Sequence, residues 1–130
     1  MAGKQSRPQH GVIRAMTQPE WTDNDTKVLQ VLASVLTSQG KESRAATLLE
    51  YALEKDPENT SVKKALGGVY TLLNRYEEAL SMIDAALADN PAPADLDRLL
   101  LVRSEALWKG GREGEARAAM QEYINQREAS

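Results

Sequence analysis

Cysteine and phenylalanine are absent from this 130-residue chain, and histidine occurs once. Without cysteine there is no disulfide, thiolate zinc site, iron–sulfur cluster or cysteine nucleophile. A single histidine, His10, excludes a multi-histidine metal centre. No apolar run approaches the ~18 uninterrupted residues that crossing a bilayer requires. The N-terminal stretch also lacks the ~7–15-residue apolar core of a secretory signal. A cytoplasmic protein without a membrane span is therefore expected. At roughly 100–200 residues per domain, the length gives room for one domain and a tail. A chain of this size buries about two-thirds of its unfolded surface, enough for a core without covalent staples.

Acidic residues are missing from positions 1–19, which carry Lys4, Arg7 and Arg14. The other 111 residues hold 13 bases and 19 acids, a balance of −6. An acidic body argues against nucleic acid as the main ligand, because the phosphate backbone is bound chiefly through Lys and Arg. Three dispersed cations also fall short of the roughly four to eight clustered ones that recognise a membrane surface. Residues 1–24 are expected to be a flexible basic leader, and 25–130 the folded domain.

What is present is an internal repeat. Gly40–Pro57 reads GKESRAATLLEYALEKDP and Asn74–Pro91 reads NRYEEALSMIDAALADNP. Ala45 aligns with Ala79, Leu49 with Ile83, Ala52 with Ala86 and Pro57 with Pro91, each at an offset of 34. Upstream, Leu32-Ala33 matches Leu66-Gly67, and Leu36 matches Tyr70, at the same offset. A third unit, GREGEARAAMQEYI, follows the second at an offset of 37, with Gly111, Ala116, Met120 and Tyr123 in register. The three extra residues belong in the Pro91–Asp95 stretch.

Within each unit apolar residues recur at three- and four-residue spacing, as in Leu29, Leu32, Ala33 and Leu36, which predicts paired amphipathic helices. Small residues stand where two helices must approach, Ala33 against Ala45 and Gly67 against Ala79. Gly40 and Gly110-Gly111 break the chain between helices. Asp56-Pro57 and Asn90-Pro91 end the second helices, because a residue before proline is pushed out of the α region. Six helices are predicted, over 25–39, 42–55, 60–73, 76–89, 95–109 and 113–127.

No catalytic constellation emerges. His10 sits in a polar leader without a partner acid. Glu77-Glu78 are adjacent, so they point about 100° apart, and they occupy a first helical turn where the macrodipole favours acids. The glycines at 110, 111 and 114 lack the Lys-Ser/Thr of a phosphate loop and follow no strand. The chain is read as a non-enzyme with neither cofactor nor metal.

The period and its small–aromatic–small–proline spacing resemble the tetratricopeptide repeat, a 34-residue helix–turn–helix unit, across about residues 25–127. The resemblance implies an all-α fold, a right-handed α-solenoid of three helix pairs with repeats at about 26–59, 60–93 and 97–130. It also implies a protein-interaction module, with the first helix of each pair lining a concave groove. In the family that face uses positions two, five, nine and twelve of each repeat. Here these are Lys27, Gln30, Ser34 and Thr37, then Ser61, Lys64, Gly68 and Thr71, then Arg98, Leu101, Glu105 and Trp108. Gly68 is expected to leave the middle of the groove open, and Trp108 to anchor the partner. The Lys/Asn/Arg clamp with which some members hold a C-terminal carboxylate is not reproduced, since Gln30 and Val102 fill two of its charged slots.

Leu101–Ile124 is similar to the last repeat of the small YscY-type chaperones of bacterial type III secretion. That likeness implies a cytoplasmic chaperone or adaptor whose groove holds a helical or extended segment of a protein partner. Apolar residues at the ends, Ala119, Met120, Tyr123 and Ile124 at one, Trp21 and the Val12-Ile13 and Met16 patch at the other, call for cover. A homodimer or a complex with a partner is expected, and a self-associating scaffold is the alternative function.

Overall fold

Capping chemistry and repeat spacing explain where each helix begins and ends. The computed structural model describes residues 20–129, among which there are six helices and no strand. In chain order these are α1 (Asp23–Ser38), α2 (Glu42–Lys55), α3 (Thr60–Leu72), α4 (Tyr76–Leu87), α5 (Pro93–Lys109) and α6 (Glu113–Ala129). Lys4, Arg7, His10 and Arg14, and the apolar trio Val12, Ile13 and Met16, lie outside the described residues, so the reading of 1–19 as a leader is not addressed. The first helix starts at Asp23, two residues before its expected start at 25. Thr22 starts that helix through a capping box, its hydroxyl accepting from the Asp25 amide at 3.2 Å while the Asp25 carboxylate accepts from the Thr22 amide at 2.9 Å.

The three turns inside the helix pairs are one motif used three times. Gly40, Asn74 and Gly111 occupy equivalent positions and take φ values of 76°, 63° and 82°. In each, the next residue's amide reaches back to the helix, Lys41 to the Leu36 carbonyl at 2.8 Å, Arg75 to Tyr70 and Arg112 to Leu107 at 2.9 Å. This 6→1 bond marks a Schellman end, whose left-handed residue is usually glycine, sometimes asparagine. The turn sends the second helix back along the first.

Each pair then stacks on the next: α3 packs on α2 and α1, and α5 on α4 and α3. The result is an all-α helical-repeat solenoid. Its core repeats with the sequence, through Ala45, Leu49 and Ala52, then Ala79, Ile83 and Ala86, then Ala116 and Ala119, all buried. Ser104, which replaces the small apolar residue of the earlier units, is also buried and donates its hydroxyl to the Leu100 carbonyl at 2.9 Å. The three extra residues do not form a longer loop. They extend α5 to 17 residues, starting at Pro93, a position where proline suits the first turn of a helix. The expected start at 95 and the expected end of α4 at 89 each move by two residues.

Candidate protein-binding groove

Side-by-side packing of α1, α3 and α5 leaves a groove of about 810 Å³ on one side of the stack. Its floor is apolar, with Ala33, Leu49, Ala65, Val69, Leu99 and Val102. Polar side chains rim it: Gln30, Ser34 and Thr37 from α1, Lys64 from α3, and Asp95, Arg98 and Glu105 from α5. Gly68 lies in the middle, and a Cβ there would meet nothing within 4 Å. Gly68 leaves open space there in place of a side chain.

Several rim groups are tied down. Gln30 donates to the Ser61 hydroxyl at 2.8 Å, linking α1 to α3, and Lys64 pairs with Asp95 at 2.6 Å, linking α3 to α5. Glu105 pairs with Lys109 at 2.9 Å, a hydrogen bond that raises the lysine's affinity for its proton. Arg98 makes no ion pair among the described residues. The rim therefore offers one uncommitted cation beside two neutralised pairs. Asp95 comes from the inserted turn, so the insertion supplies part of the groove wall.

At the back of the stack, Tyr70 donates its hydroxyl to Glu50 at 2.5 Å, and the Arg75 guanidinium lies 4.4 Å from the Tyr70 ring centre. Burial, with Glu50 adding to it, pushes the phenol's pKa up. This contact fastens the second repeat to the first. It lies outside the groove and moves no proton at neutral pH.

Sequence comparison agrees with this geometry. Tetratricopeptide repeat family profiles match residues 36–101 and 73–130. The chain belongs to the tetratricopeptide repeat family. Among curated relatives it is similar to cell division cycle protein 27 homolog A of Arabidopsis thaliana, at 34% identity over 76 residues. That match takes in 53% of this chain and 11% of the plant protein, so the chain spans about a tenth of that relative's length.

Placing the family's groove positions on the tetratricopeptide stack separates them. Gln30, Ser34, Thr37, Lys64, Gly68, Arg98 and Glu105 all come together along the groove. Four others do not. Thr71 is buried, its hydroxyl donating to the Gly67 carbonyl at 2.8 Å. Lys27, Leu101 and Trp108 are exposed but outside the groove, as is Ser61 beyond its link to Gln30. The physical reason is that the wall is shared between consecutive first helices. Positions five and twelve face the following repeat, and among the described residues none follows α5 and α6. Lys27 has no described helix before it to face. The sequence reading omitted Asp95 and Val102; the offset of 37 was the signal for the first, and the three- and four-residue steps from Arg98 through Val102 to Glu105 for the second.

Among the described residues no cluster of His, Cys, Asp or Glu is arranged to hold a metal ion, and no helix is long and apolar enough to cross a membrane.

Proposed function

We propose that this tetratricopeptide domain is an adaptor that holds a segment of a protein partner along the groove between α1, α3 and α5. The observation that carries this is the open channel over Gly68, with an apolar floor and the uncommitted guanidinium of Arg98 on its rim. A helix or extended strand places apolar side chains on such a floor while its polar face meets the rim. Arg98 favours an acidic group on that segment.

A Gly68→Trp chain fills the channel and tests the proposal. Partners are first identified by cross-linking in the native host, and binding is then measured with purified proteins. The expected result is at least about a tenfold loss of affinity, equivalent to about 1.4 kcal/mol, with helicity unchanged. Arg98→Glu should weaken binding in the same direction. Undiminished binding by a folded Gly68→Trp chain overturns the groove assignment.

Within this reading, the finer assignment is a chaperone for a small exported partner. Its support is the likeness of Leu101–Ile124 to the type III secretion chaperones. It predicts that the gene lies among genes for an export apparatus and that the partner stays soluble only when co-expressed. A locus without such genes refutes the secretion role and leaves the adaptor role intact.

A further inference from the structure

We propose that a second copy of this chain stacks its α1 on the α5–α6 face, head to tail, so that the repeat array continues from one molecule into the next. The chain's own internal junctions supply the template. At the first junction α3 packs against α1 and α2, and the register carries its Val62, Leu66 and Val69 onto Val28, Leu32 and Val35 of α1. Val62 and Leu66 are 0% and 1% exposed, whereas Val28 and Leu32 are each 47% exposed. Val31, in the register of Ala65, is more exposed still. An apolar stripe of the kind that docks one repeat on another therefore stands uncovered on α1.

The opposite end carries the matching surface. Leu49 and Ile83, at 1% and 0% exposure, lie on second helices that each pack against the next repeat's first helix. Met120 holds the same register position at 40%. Beside it are Ile124, in the register of Leu53 and Leu87, and Leu101 and Trp108 on α5, all exposed. The second copy's Val28, Val31, Leu32 and Val35 fit this face as Val62, Ala65, Leu66 and Val69 fit the first repeat. Leu101 and Trp108 then gain the neighbouring helix that none of the described residues supplies, and line a continuation of the groove. One position opposes the fit: Arg117 is exposed where Ala46 and Leu80 are buried. The junction is accordingly weaker than the internal ones and depends on concentration. Because the two faces differ, association does not close on itself at two copies.

Two variants at exposed sites separate this from every symmetric alternative, Val31→Glu on one face and Met120→Glu on the other. Sedimentation velocity of the wild-type chain, from micromolar to millimolar, should show a mass rising from 14.3 kDa past twice that value. Each variant alone should remain monomeric, with unchanged helicity. Mixed, they should form a one-to-one dimer and stop there, because only one good junction remains. The proposal is overturned if the wild type stays a monomer throughout. It is equally overturned if the mixture yields no dimer, or if the wild type associates only after residues 1–19 are deleted, which would identify that segment as the occupant. Gly68→Trp leaves both end faces intact and should stack like the wild type, which keeps this test separate from the groove's.

Discussion

Gly67 and Gly68 are neighbours in one helix, yet their structural demands are opposite. A Cβ on Gly67 would lie 2.7 Å from Cγ1 of the buried Ile83, so the glycine lets α3 and α4 close. A Cβ on Gly68 meets nothing. Alanine gains about 1 kcal/mol of helix propensity over glycine at either site. At Gly67 overpacking costs about 1–3 kcal/mol and outweighs that gain. Urea unfolding should therefore show Gly67→Ala destabilised and Gly68→Ala equal to or more stable than the wild type. Equal effects at the two positions would refute the close approach at Gly67. The acids that resembled a carboxylate pair are likewise structural: Glu78 holds Arg75 at 2.6 Å and Glu77 holds Arg112 at 3.2 Å.

For the helix pair, the deciding residue is the one in the left-handed turn. Gly111 at φ 82° ends α5 and aims α6 back along it. A side chain in that conformation costs roughly 1–2 kcal/mol, so Gly111→Ala should lower the unfolding free energy by about that amount. The companion turn at Asn74 shows what the sequence tolerates, because asparagine enters this region more readily than most residues. A latch recurs at the other end of the pairs: Thr60 donates to Asp89 at 2.7 Å, as Thr26 does to Asp56 at 3.3 Å. Thr26 also accepts from the Trp21 indole at 2.8 Å, which seats the tryptophan edge-on against Tyr51. In the first two pairs these ties hold the start of the first helix to the end of its second.

Across the whole molecule, exposed carboxylates bound to cations set the response to acid. Hydrogen bonds from Arg75 to Glu78, from Arg112 to Glu115, and from Thr60 and Lys63 to Asp89 hold all three carboxyls below their ordinary pKa values. A carboxyl depressed in the folded state stabilises it fully above the unfolded pKa and loses that contribution as pH falls through the folded value. The melting temperature should be flat through neutral pH and fall below about pH 4, where carboxylates titrate. Because these groups are solvent-exposed, added salt should shrink the effect. A chain carrying Glu78→Gln, Glu115→Gln and Asp89→Asn should show a shallower acid decline. An unchanged decline would place the acid sensitivity elsewhere.

The offset of 34, the periodic alanines and leucines and the turn glycines determined six helices, their pairing and the core, with boundaries correct to about two residues. Those features are local: helical period, capping and left-handed turns depend on residues a few positions apart. Which of the family's groove positions meet was decided only by the stack. Gln30 and Lys64 line the groove, while their counterpart Leu101 stays outside it, although all three share one repeat position. A groove wall requires a neighbouring helix, and neighbours are supplied by tertiary packing. Met120 and Leu49 likewise occupy one register position with opposite burial: α2 packs against a following first helix, and among the described residues no helix follows α6.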